Sequence, residues 1–142
     1  METKTKTIAL EPLSQSGVTV RDPNEDIRGR KVLDRDGEEL GTVKDLFIDR
    51  AEMRIRFMEL GAGGILGIGE ETFLIPIDAI TDIDEDAVRI DQTVSHVAGG
   101  PRYQPDMEED RDYYGDVYAH YDVPPYWGTG YAYPKYPYYR KG

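Results

Sequence analysis

The chain has no cysteine, one tryptophan, two histidines and three phenylalanines in 142 residues. Without cysteine, disulfides, thiol nucleophiles and cysteine-based metal sites are excluded, while the redox compartment stays open. His96 and His120 have no Cys, His or Glu at metal-ligand spacing, so no metal site is expected. Basic residues are also scarce: seventeen Lys plus Arg stand against twenty-eight Asp plus Glu, a net charge of −11. Such a surface repels phosphate backbones, so no direct nucleic-acid binding is expected. Long apolar runs are missing too. Ile8-Ala9-Leu10 is cut short by Glu11 and Pro12, too brief for a signal-peptide core, and nothing later approaches a membrane span; the expectation is a cytoplasmic chain. No serine sits in a Gly-x-Ser-x-Gly elbow. Carboxylates are abundant, as a solvated surface requires, and no nucleophile–base pair stands out. The reading is therefore no catalytic residues, no cofactor and no enzyme.

What is present is unevenly placed. All eleven tyrosines and Trp127 follow Pro101, whereas Phe47, Phe57, Phe73 and most aliphatic residues precede it. Three regions result: a polar, flexible lead-in over 1–25, in which Val18-Thr19-Val20 is a candidate edge strand; a body over 26–101; and an acidic, then Tyr/Pro/Trp-rich tail over 102–142.

The body reads as all-β, about six short strands divided by turn residues, the pattern of a small barrel or sandwich. Lys31-Val32-Leu33 leads into Asp34–Glu38, where Asp36-Gly37 signals a hairpin. Leu40–Asp49 forms the next strand, followed by Met53–Leu60. In the latter Met53, Ile55 and Phe57 alternate with Arg54 and Arg56, predicting one buried and one wet face, and Met58 and Leu60 break that parity, predicting a β-bulge near Phe57-Met58. Thr72–Ile77 carries Pro76, which restricts it to an edge or a strand end. Thr81–Ile83 and Val88–Ile90 make a further hairpin. Gln92–Ala98 suits a short helix stopped by Gly99-Gly100-Pro101.

DIRGRKVLDRDGEELGTVKDLFIDR, then RIRFMELGAGGILGIGEETFLIPIDAITDIDEDAVRID, and a closing HVAGGP carry a resemblance. In order and spacing, Gly29, Gly37-Glu38, Gly41-Thr42-Val43, Asp45, Asp49, Pro76 and Pro101 resemble the PRC-barrel family, which includes the cytoplasmic domain of the photosynthetic reaction-centre H subunit and a domain of a ribosome maturation factor. The tail is similar to that of a bacterial subgroup with Tyr-, Pro- and Trp-rich sequence behind the barrel. The resemblance implies a small PRC-type barrel with a binding or assembly role and no catalysis. It does not imply photosynthesis.

Gly61–Gly69 lacks the Lys-Ser/Thr and the following helix of a phosphate loop. Its Ile65, Leu66 and Ile68 either fold over the barrel mouth or form an apolar contact site. Asp82–Asp86 has the alternating carboxylates of a calcium loop, but Ala87 and Thr93 occupy the positions that need glycine and glutamate, so a solvated turn is expected there and at Asp34–Glu38. In the tail, Tyr113, Tyr114, Tyr118 and Tyr121 suit a short helix over Asp110–Tyr121, and the Tyr-Pro repeats after it suit extended structure in a mostly irregular tail. That tail wraps its own barrel, docks on another copy or partner, or stays disordered.

Two functions of different class follow. One is a protein-binding or self-assembling module (a homo-oligomer) whose contact residues are Ile65, Leu66, Ile68, Tyr126, Trp127, Tyr131 and Tyr133. The other is an accessory subunit peripherally associated with a membrane electron-transfer complex, with Asp45 and Asp49 relaying protons. On the first reading, truncation after Pro101 leaves a folded barrel of lower oligomeric order.

Overall fold

The computed structural model describes residues 10–20, 22–61, 72–104 and 110–137. Among these described residues seven strands form one mixed sheet: β1 (Leu10–Pro12), β2 (Lys31–Leu33), β3 (Glu39–Asp49), β4 (Arg54–Gly61), β5 (Thr72–Pro76), β6 (Ile80–Ile83) and β7 (Ala87–Ile90). Three helices accompany them: α1 (Leu13–Ser16), α2 (Val94–Ala98) and α3 (Arg111–His120). The main path runs β5-β4-β3-β2-β7-β6, antiparallel except for the parallel β2–β7 pair. Among the described residues no ladder joins β5 to β6, so the sheet is not closed. A 3-10 turn, Ile77–Ala79, links those two strands.

The expected strands all form, with ends moved by a residue or so. Gly37 takes φ 86° in the β2–β3 turn, where a side chain would be strained. Pro76 ends β5 at the margin of the main path, satisfying both conditions its missing N–H imposes. The seventh strand arises in the lead-in. β3 has eleven residues, and β2 pairs only with its first part, leaving an edge that Leu10–Pro12 fills opposite Phe47–Asp49. Leu10 and Leu13 are buried, so this part of the lead-in is anchored, and Val18–Val20 forms no strand.

The parity break in β4 has a definite origin. Phe47 pairs with Phe57 and Ile48 with Ile55, leaving Arg56 as the extra residue of a bulge. Met53 lies in the preceding turn at φ 55° and is 36% exposed, not buried as its alternation suggested. Arg56, expected on the wet face, is 2% exposed. β4 has two covered faces: Ile55, Met58 and Leu60 join Val43, Leu46 and Ile48 on one, while Phe57 and Glu59 join Asp45, Phe47 and Asp49 on the other. Alternation predicts a wet second face only where nothing packs on it. Here the N-terminal segment and the tail do.

Candidate functional site: the aromatic strap on the second face

The second face of β3–β4 carries two large rings among carboxylates, too apolar for water and too charged for an ordinary core. Asp110 starts the segment that covers it, its Oδ1 accepting from the backbone N–H groups of Asp112 and Tyr113 at 2.9 and 3.3 Å and so capping α3. Tyr113, Tyr114, Val117, Tyr118 and Tyr121, at helical spacing, are all buried. The rings of Tyr114 and Tyr118 lie 5.3 and 4.8 Å from Phe57, and Tyr103 meets Phe47 edge-on at 5.1 Å. Offset and edge contacts of this kind add about 0.5–1.5 kcal/mol each to the burial itself. Of the three fates open to the tail, residues 110–137 pack on their own body.

Beyond α3 the chain crosses Arg56. Its guanidinium donates to Asp49 Oδ2 at 3.1 Å and to Glu52 Oε1 at 2.7 Å, and its Cζ lies 4.1 Å from the centre of the Tyr126 ring, with Tyr133 at 5.4 Å and Tyr131 at 5.9 Å. Burial works against this charge, but the bond and field of Asp49 outweigh it and hold the guanidinium pKa above its ordinary value. The Tyr131 hydroxyl donates to Asp78 Oδ2 at 2.8 Å, and the Tyr133 hydroxyl to the Ile55 carbonyl at 3.0 Å, with Arg54 stacked 4.4 Å above its ring. Burial pushes the Tyr126 phenol up to about 12, with the nearby Asp49 adding to it. Tyr136 donates to the Glu25 carbonyl.

Tyr126, Tyr131 and Tyr133 are thus gathered around one arginine. Trp127 lies beside them, 5.2 Å from Tyr126 and 5.8 Å from the Arg111 guanidinium, and Tyr126 and Trp127 remain half-buried. Ile65, Leu66 and Ile68 lie outside the described residues. Arg56 and Asp78 were missed because each looks like a solvated charge; the signal available was the broken parity of β4.

A second polar group lies toward α1. Asp45 and Glu59, each 7% exposed, face each other across β3–β4 and line a cleft of about 370 Å³ with Ser14, Lys44 and Tyr103. Ser14 donates its hydroxyl to Asp45 Oδ2 and its N–H to Oδ1 at 3.2 Å, so this serine is structural in the position where a loose one was expected. Burial raises the Glu59 pKa above the ordinary value of a glutamate; Lys44, 3.9 Å away, opposes that. A carboxyl with a raised folded pKa stabilises the fold below its unfolded pKa and loses that contribution as pH rises through the folded value. Glu59→Gln is therefore expected to raise stability at pH 8 and to leave it unchanged at pH 4, read from urea midpoints at the two pH values.

Asp36, Gly37, Glu38, Glu85 and Asp86 are exposed, as expected of solvated turns, but Asp34 is not. Asp34, 3% exposed, accepts from the N–H groups of Asp36 and Glu38 at 2.8 Å each and from Val94 at 3.2 Å, tying the first hairpin to α2. Asp84 Oδ1 accepts from the N–H groups of Asp86 and Ala87, both at 2.8 Å, as an Asx turn does. Among the described residues no three His, Asp or Glu side chains converge as metal ligands.

The two histidines clasp the tail to the body. Their rings stack at 4.0 Å and 12°; His96 Nε2 donates to the His120 carbonyl at 2.8 Å and His120 Nε2 to the His96 carbonyl at 2.7 Å. Because carbonyls only accept, both rings carry the proton on Nε2. A Cβ on Gly100 would come within 2.9 Å of His120 Cδ2. His120→Ala and Gly100→Ala are each expected to lower stability by about 1–2 kcal/mol, from lost hydrogen bonds and stacking. Urea titrations followed by Trp127 emission check both.

The described part of the molecule is a mixed-sheet β module whose tail folds back over a charged aromatic face. The PRC-barrel domain family matches residues 23–97, more than half of the chain, and the chain belongs to that family. Among the described residues no helix is long and apolar enough to cross a membrane.

Proposed function

We propose that this protein is a non-catalytic binding or assembly module, which self-associates or docks a protein partner through the Gly-rich loop and the outer rim of the aromatic strap. The observation that carries this reading is that the strap keeps Tyr126 and Trp127 half-exposed at its rim while Tyr131 and Tyr133 have their hydroxyls bonded within the chain. Half-exposed aromatic rings with an arginine beneath them are the side chains that dominate contact energy at protein interfaces. Tyr126, Trp127, Tyr131 and Tyr133, all partly exposed, are the contacts the strap contributes, the last two with their hydroxyls fixed within the chain. Ile65, Leu66 and Ile68, outside the described residues, are the contacts proposed for the Gly-rich loop.

Light scattering and pull-downs with the full chain test this. Trp127→Ala, and separately Ile65→Ser with Leu66→Ser, are expected to lower the assembly order or abolish partner capture while leaving the circular dichroism spectrum unchanged. If both variants assemble and capture as the wild type does, the module does not work through these residues. An accessory role beside a membrane electron-transfer complex draws support from the cleft, where a carboxyl with raised pKa sits opposite Asp45. Asp49 fits a relay less well, being held by Arg56 and the Ala51 N–H. Co-sedimentation of the intact protein with membranes containing such a complex separates this role from the first.

A further inference from the structure

Among the described residues four buried side-chain polar atoms have no hydrogen-bond partner, the Tyr113 hydroxyl and three that lie around the Arg56 side of the strap: Arg56 Nε, Asp78 Oδ1 and the Tyr118 hydroxyl. Arg56 is 2% exposed and Tyr118 0%. Buried polar groups without partners are rare in native proteins, and three in one locality need a physical cause. The three belong to one contact group. The Tyr126 ring lies on the Arg56 guanidinium at 4.1 Å and 6.5 Å from the Tyr118 ring, while Tyr131, 5.9 Å from the same guanidinium, bonds to the other oxygen of Asp78. Tyr118 also feels the charges of Asp78 and Arg56 directly.

Their hydrogen-bonding capacities differ in a useful way. Arg56 Nε–H can only donate, Asp78 Oδ1 as a carboxylate can only accept, and the phenol does either. One molecule that accepts once, donates once and exchanges a third bond with a hydroxyl satisfies all three, and that molecule is water. Arg56 Nη2 is engaged by Asp49 and Glu52, and Asp78 Oδ2 by Tyr131. We infer that an ordered water bound between sheet and strap bridges Arg56, Asp78 and Tyr118, making the seam a wet interface and not a dry core. Three bonds are what a buried water ordinarily makes. Water-bridged contacts of this kind hold interfaces about as well as direct ones.

The experiment is a rotating-frame cross-relaxation measurement between solvent and the full-length protein, with Arg56 Hε assigned. A direct cross-peak from a long-lived water to Arg56 Hε, lost in Tyr118→Phe, is the expected result. Tyr118→Phe is also expected to lower the folding equilibrium constant about five- to tenfold, because the water loses one of its three bonds. A missing cross-peak in the wild type overturns the inference, as does a Tyr118→Phe variant that is as stable as the wild type or more so, since removing an unsatisfied hydroxyl costs nothing.

Discussion

A chain ended after Pro101 is expected to lose its cooperative fold. Tyr103, Tyr113, Tyr114, Val117, Tyr118, Tyr121 and Tyr136 are all buried, and they cover Phe47 and Phe57 at the centre of the sheet. A buried tyrosine takes roughly 150–250 Å² out of water, and without these side chains the rings of Phe47 and Phe57 lose their cover. The truncated protein should bind a hydrophobic dye and melt without a sharp transition in near-ultraviolet circular dichroism. The opposite outcome, a folded body with only its assembly changed, is what the composition break at Pro101 suggested; a cooperative melt within a few degrees of the full-length protein would restore that view.

Arg56→Met is expected to cost about 3–5 kcal/mol, because it leaves Asp49, 4% exposed, as a buried carboxylate without its cation and removes the platform under Tyr126. Adding Asp49→Asn to it should recover at least half of that loss. The asparagine keeps an oxygen for the Ala51 N–H, which Asp49 accepts at 3.0 Å, and carries no charge to strand. A double-mutant cycle in urea measures the coupling. Additive single effects would mean that the pair is solvated, contrary to its burial.

The strands were legible because their signals are local. Gly37 marks a turn, Pro76 a strand end, and the alternation of β-formers sets each register. The helix over Arg111–His120 was legible for the same reason, from the spacing of its tyrosines. What escaped was whatever depends on residues far apart in sequence. Leu10–Pro12 is a strand only because β3 outruns β2 and leaves an edge to fill. Arg56 looks solvated in any short window, and is buried because a bulge opposite Phe47 and a strap from 70 residues downstream enclose it; alternation within β4 contains neither fact. Asp34 reads as one more acid in an acidic turn, and its role emerges only with Val94 beside it. The aromatic richness of the tail pointed to Tyr126, Trp127, Tyr131 and Tyr133 together, but a count of rings does not tell which hydroxyls find partners in their own chain.

The account stands on the tail lying against the sheet of the same molecule. An isotope-filtered nuclear Overhauser experiment on an equal mixture of labelled and unlabelled full-length protein addresses this directly. Contacts from Phe57 to the Tyr114 and Tyr118 rings should be strong within labelled chains and missing between labelled and unlabelled ones. Finding them between chains, or in neither population, would contradict it.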